Sequence, residues 1–89
     1  MIEKQLKIIN KLGLHARAAA KLINTTGHFS SEIKIDKDGR QVDGKSIMAV
    51  MMLAASKGTD LTFRVAGEDE VEAMAAIETL INNRFDEPE

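Results

Sequence analysis

The chain has 89 residues and a formal net charge of -2, which allows one domain and gives no basic footprint for nucleic acid. It contains no cysteine, so disulfides, thiol catalysis and thiolate metal sites are excluded and a reducing compartment is suited. Phe29, Phe63 and Phe85 are its only aromatic residues, too few for a base-stacking platform, and no apolar run approaches the roughly 20 residues of a membrane span. With no signal-peptide pattern, the expectation is a cytoplasmic domain spanning 1–89.

Ile2, Leu6 and Ile8 alternate with Glu3, Gln5 and Lys7, which predicts a strand with one buried face. Asn10 to Leu14 reads as a loop, with Gly13 free to take an unusual backbone conformation. A helix is predicted from about Ala16 to Thr26, with Ala16, Ala19, Ala20 and Ile23 on its apolar face and Gly27 as a left-handed stop. Phe29, Ile33 and Ile35 mark a second strand ending in the turn Asp36-Lys37-Asp38-Gly39, whose Asp-Gly is a hairpin signal, and a short third strand follows from Arg40 to Asp43. Ser46 is a favourable N-cap for a helix from Ile47 to Ala55. Leu61, Phe63 and Val65 alternate as a fourth strand. Glu68 to Glu72 then opens a third helix with Val71, Met74, Ile77 and Ile81 on its apolar face, and Asp86 to Glu89 reads as a frayed polar tail. The order β-α-β-β-α-β-α fits an α+β open-faced sandwich, a four-stranded antiparallel sheet with three helices on one face.

The three helix starts differ. The third helix supplies its own carboxylates. The second supplies a hydroxyl, Ser46, where an added phosphate would favour the helix. The first supplies His15 and Arg17 and no carboxylate, so its free N–H groups, an imidazole and a cation converge on one spot suited to an anion. The second helix is apolar all round: Ile47, Val50, Met51 and Ala54 suffice for a core face, yet Met48, Ala49, Met52 and Leu53 are apolar too. A domain this small cannot easily enclose such a helix, which predicts an exposed patch around Met48 and Met52, where flexible methionines suit a partner.

Other signals fail on context. Gly39 to Ser46 matches G-x-x-x-x-G-K-S, but a hairpin turn precedes it where a phosphate loop needs a buried parallel strand. His15 and His28 lack helical spacing and a third ligand, so no metal site is expected. A Ser46–His15 hydrolytic arrangement has no nucleophile elbow to support it.

Gly13-Leu14-His15-Ala16-Arg17, Gly44-Lys45-Ser46-Ile47-Met48 and the element order together resemble the HPr family, the histidine-containing phosphocarriers of the bacterial phosphoenolpyruvate-dependent phosphotransferase system. The resemblance covers essentially the whole chain. It implies that His15 accepts a phosphoryl group at Nδ1 from phospho-Enzyme I and hands it to a histidine of an EIIA domain, with Arg17 holding the phosphoryl oxygens. It further implies that Ser46 is the regulatory serine of the ATP-dependent HPr kinase/phosphorylase and that Ile47, Met48, Met51 and Met52 form the docking surface. No cofactor or nucleic acid is implied, and the expected protein is a monomeric carrier rather than an enzyme. Ala18 departs from the proline that many members carry, which a first helical turn tolerates. The tail from Ile81 to Glu87 is similar to that of NPr, so a regulatory role in a nitrogen branch stands as the alternative to sugar uptake. An unrelated α+β binding domain would require both motifs to be accidental.

Overall fold

The computed structural model describes residues 1–89. Its elements are β1 (Ile2–Lys7), α1 (Ala16–Thr26), β2 (Glu32–Lys37), β3 (Arg40–Asp43), α2 (Ile47–Met52), β4 (Asp60–Ala66) and α3 (Glu70–Asn82), followed by a short helical turn at Arg84–Asp86. The strands form one antiparallel sheet in the order β1-β4-β2-β3. Because side chains alternate along a strand, the apolar members of each run share one face. Leu6 pairs with Leu61, Ile33 with Val65 and Ile35 with Phe63, and all six are buried. The helices add Leu22, Val50, Ile77 and Ile81 to the same core, completing the open-faced α+β sandwich. The other face of the sheet is charged: Arg64 donates to Glu3 at 3.0 Å and pairs with Asp36. Exposed pairs of this kind contribute only about 0–1 kcal/mol, so the buried face holds the fold. The turn between β2 and β3 is tighter than expected: Asp36 and Lys37 pair with Gln41 and Arg40 as part of β2, and only Asp38 and Gly39 make the turn, both with positive φ (50° and 84°), as a two-residue hairpin requires.

The structure departs from the sequence expectations in several places. Helix α1 buries Ala18, Ala19, Leu22 and Thr26, while Ala16 and Ala20 are exposed. Leucine removes far more apolar surface from water than either alanine, so Leu22 sets the helix rotation. Gly27 is right-handed (φ -67°), not left-handed. The helix unwinds through successive turn bonds, His28 N–H to Thr25 and Phe29 N–H to Thr26, which leave Phe29 before β2 rather than in it. Helix α2 ends at Met52 rather than Ala55, because Ala54 takes the left-handed stop (φ 51°) and Lys37 Nζ donates to the Leu53 carbonyl at 2.8 Å. Val71 is exposed. Its turn is held instead by Glu70, which accepts from Gly67 N–H at 3.1 Å and pairs with the Met1 amine at 3.2 Å.

The largest departure is the tail. Phe85 is fully buried, and Arg84, Phe85 and Asp86 all occupy the left-handed region (φ 57°, 54° and 62°). Consecutive non-glycine residues there are costly. Burying a phenylalanine favours the turn, Lys21 Nζ donates to the Phe85 carbonyl at 2.8 Å, and the chain beyond folds back onto the loop before α1.

Candidate functional site

Two loops meet at Gly13, and the meeting requires glycine. Gly13 has φ +69°, and a Cβ there would lie 2.7 Å from the Ala55 carbonyl and 2.8 Å from Ser56 Cα. Leu14 N–H donates to the same Ala55 carbonyl at 2.8 Å. The loop that carries His15 is thereby seated against the segment that follows α2.

His15 is the N-cap of α1. Its backbone is extended (φ -79°, ψ -179°), and its carbonyl accepts from Ala19 N–H at 2.8 Å. Its ring performs the capping that Ser or Asp usually provides: Nδ1 accepts from Arg17 N–H at 3.3 Å, a long bond. No acidic residue lies in the first turn. Arg17 is exposed and, with Lys11, His15 and Glu87, lines an open cleft at this helix end. The arrangement is a helix N-terminus with a weakly engaged ring nitrogen and an exposed guanidinium, a geometry that receives anionic oxygens.

The other ring nitrogen is also engaged. His15 Nε2 contacts Glu87 Oε2, and Glu87 Oε1 accepts from Asn10 Nδ2 at 2.9 Å. Asn10 has no solvent exposure, and its Nδ2 also donates to the Gly13 carbonyl at 2.8 Å. Burial alone would raise the Glu87 pKa. The Asn10 amide, the His15 ring and the Lys21 charge outweigh it and hold the carboxyl below its ordinary value. Neither Asn10 nor Glu87 was foreseen from sequence. The available signal was Phe85: one large apolar residue in a polar tail needs a core to enter, and entering it brings Glu87 back.

Ser46 is the N-cap of α2, its Oγ accepting from Ala49 N–H at 3.3 Å. The loop before it is pinned from several sides. Thr26 Oγ1 donates to the Gly44 carbonyl at 2.9 Å, Lys45 Nζ donates to the Phe29 carbonyl at 2.7 Å, and a Cβ on Gly44 would lie 2.6 Å from an Ile33 methyl. The phosphate-loop match fails here, because Gly39 sits in the β2–β3 hairpin and Arg40–Asp43 within the match is an antiparallel edge strand rather than a loop. In α2, Val50 and Leu53 enter the core. Ile47, Met48, Met51 and Met52 are 39%, 70%, 42% and 59% exposed. The apolar patch therefore includes Ile47 and Met51, which periodicity turns inward and the family resemblance places on the surface, and it excludes Leu53, which periodicity turns outward. His28 is exposed at the other end of α1 and joins neither site.

Comparison with known proteins follows the same lines. The family model described as "PTS HPr component phosphorylation site" matches residues 2–83. A phosphocarrier protein HPr from Cupriavidus necator is 56% identical over 89 residues, covering all of both chains. Among solved structures, an HPr from Thermoanaerobacter tengcongensis superposes with a TM-score of 0.96 at 43% identity, again over the whole of both chains. A structure from the same organism described as an HPr dimer gives a TM-score of 0.79 at 44% identity, covering 98% of this chain and 100% of that one. No helix of the present chain is long and apolar enough to cross a membrane. Fold, motif and full-length similarity converge, and the chain belongs to the HPr family, the phosphocarrier proteins of the phosphotransferase system.

Proposed function

We propose that His15 is the phosphoryl-carrying residue, accepting the group from phospho-Enzyme I and delivering it to a histidine of EIIA proteins in sugar uptake. The observation that carries this reading is the capping bond at α1: Nδ1 of His15 faces the helix end and accepts only a long bond, 3.3 Å, from the Arg17 N–H. A nucleophile needs that free lone pair, and the incoming phosphoryl oxygens need the N–H donors it releases. Arg17, exposed beside the ring, supplies a cation for the same oxygens. Phosphoryl transfer asks the protein for positioning and charge stabilisation, and an open site lets the group leave again.

Ile47, Met48, Met51 and Met52 are the docking surface in this reading. Their exposure on one short helix supports it, since an apolar patch of that kind is costly unless a partner covers it. Ser46 is the regulatory acceptor of HPr kinase/phosphorylase. A phosphate there adds about -1.5 to -2 charges at the edge of the patch and weakens docking by repulsion and desolvation. Residues 1–89 act as one domain, a monomeric, stoichiometric carrier working in the cytoplasm.

The test is to incubate the chain with Enzyme I and radiolabelled phosphoenolpyruvate. Acid-labile label is expected on the parent and none on His15→Ala; label on His15→Ala would overturn the assignment. The tail from Ile81 to Glu87, similar to that of NPr, favours a nitrogen-branch regulator as the second reading. Chasing the label into sugar-specific or nitrogen-related EIIA proteins separates the two.

A further inference from the structure

We propose that Glu87, held in place by Asn10, is a positioning residue for His15: its carboxylate keeps the ring proton on Nε2 and so keeps Nδ1 open as the phosphoryl acceptor. The proposal rests on the reading of His15 as the carrier and assigns to that chemistry two residues outside the helix and its motif. An imidazole places its single neutral-form proton where the hydrogen-bonding partners direct it. Here both sides agree. Arg17 N–H donates toward Nδ1, and the Glu87 carboxylate, which can only accept, faces Nε2.

The carboxylate is itself oriented. Asn10 Nδ2 is fixed by the Gly13 carbonyl at 2.8 Å, so the group it presents to Glu87 Oε1 is a donor. Turning the Asn10 amide over would set its oxygen against the Gly13 carbonyl. Oε1 therefore faces Asn10 and Oε2 faces the ring. The backbone that delivers Glu87 is the left-handed turn at Arg84, Phe85 and Asp86, whose positive φ values make it a strained route for non-glycine residues. Such strain persists where the surroundings over-determine it, and the buried Phe85 supplies the anchor.

The chemistry balances without a proton leaving the ring. In the forward step the Nδ1 lone pair forms the N–P bond while the donor's P–N bond breaks and its electron pair returns to the donor imidazole. The His15 ring then carries a positive charge with its proton still on Nε2, directly against the Glu87 carboxylate. On delivery the N–P pair returns to Nδ1 and the same tautomer is restored. Carboxylate–histidine pairs fix tautomer and ring orientation in this way in metal sites and catalytic triads.

The glutamine variant separates positioning from packing. Its amide oxygen must face Asn10 Nδ2, so its NH₂ faces His15 Nε2 and presents a donor where the carboxylate presented an acceptor. Glu87→Gln should therefore push the ring toward the Nδ1–H tautomer against the weak, 3.3 Å Arg17 donor, whereas Glu87→Ala leaves that donor alone to direct the ring. The experiment records the ring nitrogens of His15 by NMR on the full chain, at a pH where the ring is neutral, and the rate of label transfer from phospho-Enzyme I. The expected results are the Nε2–H tautomer in the parent and mixed tautomers with about tenfold slower transfer in Glu87→Ala. Glu87→Gln should show mainly Nδ1–H and transfer more slowly still, although it is the closer match in shape. Retention of the Nε2–H tautomer in both variants, or parent-like transfer in Glu87→Gln, would overturn the proposal. The ring spectra do not depend on phosphorylation, so a failure of His15 as the carrier, read from His15→Ala labelling, would be seen separately.

Discussion

The starts of α1 and α3 solve one physical problem in opposite ways. Each exposes backbone N–H groups at the positive end of a helix dipole. At α3 the chain answers with its own carboxylates: Glu70 accepts from Gly67 N–H and pairs with the Met1 amine. Asp69 does not cap its own helix. It accepts from Ser30 N–H at 2.8 Å and Ser31 N–H at 2.9 Å, and from the Ser31 hydroxyl, tying α3 to the start of β2. At α1 there is no carboxylate in the first turn, only an imidazole nitrogen at 3.3 Å and an exposed arginine. The one carboxylate near it, Glu87, arrives from the tail and engages the far side of the ring, leaving the helix end open. A helix start that carries acidic charge in its own first turn has its dipole compensated from within. One that carries none, at the same intrinsic cost, is where a transferable anion can be received.

That contrast can be broken at several points. Phe85→Ala should have the largest effect, about 3–5 kcal/mol of lost stability, because a fully buried aromatic is removed from a small core. Chemical denaturation measures it, and loss of the Glu87–His15 contact should accompany it in the ring spectra. Arg17→Glu converts the α1 start to the α3 type. It should add about 0.3–1 kcal/mol of stability through the helix dipole while slowing phosphoryl transfer about a hundredfold, since a fixed cation becomes a repelling charge. A variant that is stabilised and still transfers at the parent rate would contradict the contrast. Ser46→Asp should slow transfer about tenfold or less, with an unchanged circular dichroism spectrum, because the charge falls beside the apolar patch proposed for docking and not on the ring.

The smallest effect concerns pH. Hydrogen bonds from the Ser31 hydroxyl and the Ser30 N–H, against a weaker burial effect, lower the Asp69 pKa from 3.8 to about 2. A carboxyl with a depressed folded-state pKa contributes stability that is complete above 3.8 and is lost as pH falls through about 2. Asp69→Asn should therefore be less stable than the parent near neutral pH, with the gap closing in acid. A gap independent of pH would mean that Asp69 acts through shape alone.

The sheet was legible from the sequence because β1, β2 and β4 alternate, and the short β3 because Asp38-Gly39 is a hairpin signal that a returning strand must follow. His15 and Ser46 were legible as candidates because both stand at helix boundaries. What could not be read was rotation and return. The face of α1 depends on the size of Leu22 against alanine, which a period count does not weigh. The period count of α2 likewise turns Ile47 and Met51 inward, whereas both are exposed. The tail's path depends on one phenylalanine finding the core, a long-range event that leaves no local pattern. Asn10 and Glu87, 77 positions apart, become neighbours only through it.

If His15 is the carrier proposed, the open helix start holds the phosphoryl group at Nδ1. The check is to phosphorylate nitrogen-labelled protein with Enzyme I and record phosphorus–nitrogen couplings on the His15 ring. The expected result is a one-bond coupling at Nδ1 with a proton retained at Nε2. A coupling at Nε2, or a ring that carries no phosphorus while the protein is labelled, would contradict it.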